Sequence, residues 1–261
     1  FGTMAVSWPH PDNIFGRWMG PVVRVPAPYT YRNPFGEEMT DEECVDACLR
    51  YTRQAILHAV DAPIAGLIME PFQGNGGMIE FPPSYHCGIR ELCDEFGLIL
   101  IWDEIQTAFG RMGAMFAAEL YGVVPDIMVI GKGLGGGFPI SAILVSERLS
   151  EFRPGDHSFT HAHFPPSMVA ALVTLDVLQE ERLVERCRQM GEYFTTRLHA
   201  LQEHHPLMGD VRGPGLMIGI ELVRDRTTKE PARREAAWVV HEGMQRGVIF
   251  GESKYLGLGN T

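Results

Sequence analysis

The sequence predicts an α/β fold built on a mainly parallel sheet, followed by part of a small α+β domain. Three observations carry this reading. Continuous apolar runs at 64–69, 98–102, 127–130 and 141–146 alternate with segments of helical pattern, as strands covered on both faces do. Roughly 30 residues separate the charged ends of the first three runs, the span of one βαβ unit. After about residue 206 the pattern changes to strand–helix–strand. The chain therefore divides into a large domain over 1–165, a long helical connection over 166–205 and an incomplete small domain over 206–261.

Composition sets the outer limits. The 261 residues are 45% hydrophobic and 21% charged, enough apolar mass for a substantial core. A net charge of -11 repels phosphate backbones and argues against nucleic acid as a partner. No apolar run reaches the roughly 20 residues that a membrane span requires. Five cysteines are present. Cys44 and Cys48 share a helix face, Cys87 and Cys93 lie in a second helix, and no histidines stand at ligand spacing. They read as free thiols of a reducing, cytoplasmic protein with no metal site. The start, Phe1-Gly2-Thr3, reads as a continuation rather than a signal peptide.

The elements follow in order. Residues 1–38 are rich in proline, glycine and aromatics, with an extended segment at 22–31. Thr40 with Glu43 forms a capping box, and Asp41 and Glu42 suit the positive helix start, so a helix is expected from 40 to about 60. A strand over 64–69 ends in Glu70-Pro71. A helix over 84–96 is stopped by Gly97. A strand over 98–102 ends in Asp103-Glu104, a shorter helix covers 114–121, and a strand over 127–130 ends at Lys132. A fourth strand covers 141–146. Helical pattern with at least one break runs over 167–201, with a broad apolar face on Met168, Val169, Leu172, Leu175, Val177 and Leu178. A turn is expected at 209–215, a strand at 216–223, a polar loop at 224–231, a helix at 235–246 stopped by Gly247, and a strand beginning at 248–250.

In an open parallel sheet ligands bind beyond the carboxyl ends of the strands. Glu70, Asp103 and Lys132 occupy that position on three successive strands. A lysine leaving a strand can be a solvated charge or a nucleophilic amine. Two carboxylates on the same rim, followed by glycine-rich turns, favour the second reading. Pyridoxal phosphate chemistry asks for this set. A lysine carries the aldehyde as an imine, and a carboxylate keeps the pyridine nitrogen protonated. Asp103, at the end of a wholly apolar strand, fits that carboxylate, and a buried aspartate calls for a cationic partner. Gly133, Gly135, Gly136 and Gly137 let backbone approach a bulky cofactor. A nucleotide-binding P-loop is rejected, because its glycines precede the lysine and Ser or Thr follows it.

These residues carry a family resemblance. Glu70-Pro71-Phe72-Gln73-Gly74, Asp103-Glu104-Ile105-Gln106, the lysine block from Pro125-Asp126 through Lys132 to Pro139, His157-Ser158-Phe159-Thr160 and Val211-Arg212-Gly213-Pro214-Gly215-Leu216-Met217 stand in order along the chain. Together they resemble the class III pyridoxal-phosphate aminotransferases, which have fold type I and include ornithine and GABA aminotransferases. The resemblance implies that Lys132 forms the Schiff base and later shuttles a proton between the α-carbon and cofactor C4′. It implies that Asp103 pairs with the pyridinium nitrogen, Gln106 bonds the phenolic oxygen, Ile105 packs on one ring face and Glu70 supports the site. Thr160 would bind the phosphate of the partner subunit's cofactor, which makes the protein a homodimer. Arg212 would be structural.

Some positions depart from the family pattern. Asn75 stands where many members carry a glutamate that gates the substrate arginine, which makes Asn75 a candidate substrate contact. Ala108 replaces a common glycine, and His161-Ala162-His163 reads as a loop or interface. Members run to about 400 residues, so the chain resembles an internal fragment. The segments 25–32 and 224–231 resemble the dialkylglycine decarboxylase branch. The implied reaction moves an amino group from an amino acid or amine to a 2-oxo acid. Decarboxylation-transamination and racemisation on the same scaffold are alternatives, and an inactive remnant or dimerisation partner is the reading of another class.

Overall fold

The computed structural model describes residues 6, 22–36, 39–59, 62–151, 153, 156, 164–251 and 259–261. The chain forms two compact units, Phe1–Met69 with Phe81–Ile101, and Glu70–Glu80 with Trp102–Thr261. The predicted capping box is present at the start of α1 (Asp41–His58) in the first unit. The Glu43 N–H donates to the Thr40 hydroxyl, and the Thr40 N–H donates to the Glu43 carboxylate at 2.8 Å. Helix α2 (Pro83–Phe96) begins with proline and ends at Gly97 in the left-handed conformation, φ 66°. Both choices suit the missing donors and acceptors at helix ends.

Helices α1 and α2 pack through small residues. A Cβ at Gly88 would lie 2.4 Å from Leu49 Cδ1. Cys44, Val45 and Cys48 from α1 and Ile89, Leu92 and Cys93 from α2 are buried there. Burial pushes the Cys48 thiol up to about 12, as expected when the charged thiolate loses water. Cys87 is exposed, so Cys87 and Cys93 do not share a face. Strand β1 (Gly66–Met69) runs beside the first part of β2 (Ile99–Asp103), where the Ile99 N–H donates to the Ala65 carbonyl at 3.1 Å.

The sheet is mainly parallel, in the order β1-β2-β3-β4, with β3 at Ile127–Ile130 and β4 at Ala142–Val145. In the second unit, the Glu104 N–H donates to the Val129 carbonyl at 2.9 Å and holds the end of β2 against β3. Strand β4 runs antiparallel to β3, with Ile127 opposite Val145 and Ile130 opposite Ala142. The connection explains this direction. A single 3-10 turn at Lys132–Gly135 and a few further residues join the two strands, whereas a parallel return needs a crossover of a dozen residues or more. Leu100 and Trp102 are fully buried, while Ile143 and Leu144 in β4 are open to solvent. Leu100 and Trp102 share one face of β2, which is fully covered, whereas Ile99 and Ile101 on the other face are only half-buried, and β4 is open.

Other expectations need adjustment. Helix α3 (Ala117–Tyr121) starts later than residue 114, because turns occupy 113–116. The helical region breaks between α4 (Pro165–Glu180) and α5 (Leu183–His204), where Arg182 takes φ 51°. The apolar face of α4 is largely exposed, with Leu172 at 63%. Residues 209–212 are not a turn. They belong to β5 (Met208–Arg212), which pairs antiparallel with β6 (Gly219–Leu222) through an irregularity between Met208 and Asp210. Gly209 and Asp210 suggested a turn, but a bulge accommodates them within a strand. Helix α6 (Arg233–Gln245) ends before Gly247, φ 81°. The expected strand at 248–250 does not form. Instead Phe250 folds back, and a Cβ at Gly243 would lie 2.5 Å from its ring.

Replacement of Thr40 by alanine removes one half of the capping box. The substitution should destabilise α1 by about 1 kcal/mol, seen as a lower urea-unfolding midpoint, whereas Thr40→Ser should restore most of the loss.

Candidate active site

All described members of the predicted constellation fall within the second compact unit. Glu70 follows β1, Asp103 closes β2, and Lys132 follows β3 by one glycine. Gly131 is extended and buried. Lys132 itself has φ 38°, a left-handed backbone for a residue with a Cβ. Such a conformation costs about 1 kcal/mol or more and persists only where the surroundings impose it. The turn that follows imposes it here. Leu134 and Gly135 are buried, and a Cβ at Gly135 would lie 2.9 Å from Ile140 Cγ2. Leu134 packs with Ala108, Ile130 and Ala171. The turn is pinned by its apolar member, and the lysine beside it is directed to the exposed rim.

Glu70 senses the charges of the other two groups. Burial raises the Glu70 carboxyl above the usual carboxylate range, and the negative charge of Asp103 adds to that rise. The Gly74 N–H, donating to Glu70 Oε2 at 3.2 Å, and the positive charge of Lys132 act in the opposite sense. Asp103 is half-buried, and its Oδ1 accepts from the Ile105 N–H at 3.0 Å. Among the described residues no cationic side chain forms an ion pair with it. Ile105 is half-buried, and its Cγ1 comes within 3.8 Å of a Cβ built at Gly131.

Gln106 and the glycine turn at 74–77 form the other half of the site. Gln106 Nε2 donates to Asn75 Oδ1 at 3.3 Å. Its Oε1 is buried with no hydrogen-bond partner among the described residues. A buried acceptor without a donor is costly, and a ligand hydroxyl would complete it. A Cβ at position 74 would lie 1.6 Å from Gln106 Oε1, so a larger residue there must displace that amide. Asn75 is exposed. Thr160 and His161-Ala162-His163 lie outside the described residues.

Two residues were not singled out as site residues by sequence reasoning. Glu104 has no solvent exposure. Its carboxylate accepts from the Thr107 hydroxyl at 2.8 Å and from the Ala117 and Ala118 N–H groups at 2.8 and 3.0 Å. It caps α3 from below and fixes both ends of the 103–118 segment. The signal was present as a second acid directly after Asp103, but the positive helix start it answers lies 13 residues away. Phe109 was also missed. It has φ 62° and packs edge-on against Phe116 at 5.9 Å.

Comparison with known proteins gives this geometry its context. The model of the aminotransferase class III family matches residues 1–255. A leucine/methionine racemase of Thermococcus litoralis is 40% identical over 227 residues, 86% of this chain and 51% of the relative. An acetylornithine aminotransferase of Methanothermobacter thermautotrophicus is 43% identical over 197 residues, 75% of this chain and 48% of the relative. Among solved structures, an (S)-enantioselective omega-transaminase from Thermomicrobium roseum superposes with a TM-score of 0.82 at 35% identity, covering 92% of this chain and 56% of that one. The chain thus spans about half the length of the relatives it matches. With its lysine, aspartate and glutamine blocks assembled in one unit, the chain belongs to the class III aminotransferases.

Proposed function

We propose that the whole protein transfers an amino group from an amino acid or amine to a 2-oxo acid, with pyridoxal 5′-phosphate as its cofactor. The observation that carries this reading is the convergence of Lys132, Asp103 and Glu70 beyond three adjacent strands, with Lys132 held in a left-handed backbone. The donor set fits the cofactor: an amine, a carboxylate and a buried amide oxygen awaiting a hydroxyl. The cofactor supplies an electron-withdrawing ring that lowers the barrier to breaking bonds at the substrate α-carbon. Lys132 Nζ would hold the cofactor carbonyl and, when free, would carry the proton to and from the α-carbon. Asp103, oriented by the Ile105 amide, would keep a proton on the pyridine nitrogen. Gln106 would hold the phenolic oxygen, Ile105 would pack on one ring face, and Glu70 would support the site. Asn75, hydrogen-bonded to Gln106, would contact the substrate.

The same reading includes a homodimer in which Thr160 completes the partner's phosphate site, and a cytoplasmic location suited to free thiols. It also assigns 1–165 to the cofactor-binding domain, 166–205 to the helical connection and 206–261 to the start of the small domain. A second reading, amino-acid racemisation, is favoured by the similarity to the leucine/methionine racemase. The two diverge in product. A transaminase consumes 2-oxo acid stoichiometrically, and a racemase scrambles the enantiomers of one amino acid without net transfer.

The test uses the full-length protein with pyridoxal phosphate. An absorbance band near 410–430 nm (about the range usual for this linkage) should be reduced by borohydride, and mass spectrometry should find the label on Lys132. Lys132→Ala should abolish the band and the reaction, and Asp103→Ala should lower turnover about 100-fold or more. Wild-type turnover by the Lys132→Ala protein would overturn the assignment. Glu70 gives a pH prediction. Its folded pKa lies above its ordinary value of 4.5, so the stability it contributes is present below that value and is lost as pH climbs through the raised one. Glu70→Gln should flatten this decline in thermal unfolding of the cofactor-free protein between about pH 4 and about pH 8.

A further inference from the structure

The 211–217 segment is not used by the chemistry above, yet it carries a concentrated polar anchor. Arg212 is 9% exposed at its side chain and lies between two acids, with Nη1 2.6 Å from Asp210 Oδ2 and Nη2 3.2 Å from Glu221 Oε2. Glu221 is fully buried and also accepts from Asn260 Nδ2 at 3.4 Å. The same guanidinium donates Nε–H to the Met78 carbonyl at 2.7 Å and Nη2–H to the Gly77 carbonyl at 2.5 Å. One side chain thus meets four acceptors, two in the β5–β6 ribbon and two in the turn after Glu70.

That turn backs the site. The Gly77 and Met78 N–H groups donate to the Gly74 carbonyl at 3.2 and 3.0 Å. Gly74 lies against the Gln106 amide, and Asn75 is bonded to it. Gly77 and Met78 have φ 124° and 51°, backbone states that need an external hold at a non-glycine residue. The ribbon supplies this hold a second time, since a Cβ at Gly219 would lie 2.7 Å from Met78 Cβ.

We propose that Arg212 is a positioning residue whose clamp on the Gly77 and Met78 carbonyls fixes the Gly74–Asn75 turn against Gln106. It thereby sets how that amide meets the cofactor. The inference rests on Gln106 being the cofactor's partner, as read above. The planar five-donor fork is what allows the four contacts, and a lysine ammonium, with three donors at one point, cannot span them.

The experiment compares wild type, Arg212→Lys and the milder Asp210→Asn in the cofactor-free full-length protein by hydrogen exchange. Arg224→Lys, in an exposed pair with Glu230, serves as the control. Arg212→Lys should speed exchange of the Gly77, Met78 and Ile79 amides by about 10-fold, the loss of roughly one hydrogen bond, and should leave α4 unchanged. Asp210→Asn should do the same more weakly, and Arg224→Lys should do nothing. With pyridoxal phosphate added, Arg212→Lys should weaken cofactor binding and shift the pH titration of the visible band in the same direction as Asn75→Ala. Unchanged exchange at 77–79, or an equal rise across the whole chain, would overturn the clamp. A loosened turn with unaltered binding and titration would overturn its link to Gln106. Absence of any band in wild type would instead sink the functional reading, while the exchange result would still decide the clamp.

Discussion

Glu104 is a carboxylate with no access to water, and the geometry around Asp103 depends on how its charge is met. Three donors surround it, two of them the first amides of a short helix. Burial still pushes its carboxyl above the usual range, so the arrangement holds only while all three donors stay in place. An uncompensated buried carboxylate would cost several kcal/mol, which is why the segment from β2 to α3 has little freedom. Asp103, Ile105 and Gln106 flank this residue and share its rigidity. On the other side of the glutamate, its own N–H joins β2 to β3, the strand that delivers the lysine. A single desolvated acid thus ties the carboxylate half of the site to the amine half.

Much of this was legible in the sequence, and the reasons are local. Thr40 with Glu43 marks a helix start because both partners of the cap lie within one turn. Gly97 and Gly247 mark helix ends because only glycine adopts φ > 0 without strain. Glu70, Asp103 and Lys132 could be placed on one rim because consecutive parallel strands present their carboxyl ends together. The antiparallel return of β4 was less visible. Its residues are as apolar as those of a parallel strand, and direction depends on connection length rather than on composition. The bulge that keeps Gly209 and Asp210 in β5 was hidden for a similar reason, since the same residues serve turns and irregular strands.

Nonlocal polar contacts were the least legible. Arg212 meets carbonyls more than 130 residues earlier in the chain, and Glu104 meets amides 13 and 14 residues later. No periodicity or motif spacing encodes such pairs, because their partners are backbone groups that every residue type supplies. The left-handed backbone at Lys132 is comparable. The glycines around it signalled an unusual turn, but not that the lysine would share the conformation.

The contact between Gly74 and Gln106 bears on how this scaffold can vary. A side-chain carbon at position 74 would meet the Gln106 oxygen, so substitution there acts by displacing that amide. Its neighbour, position 75, is exposed and touches the same amide through its side chain. The two positions therefore reach the same amide by different routes, one through the space it leaves and the other through a hydrogen bond, so changes at either alter how Gln106 is presented.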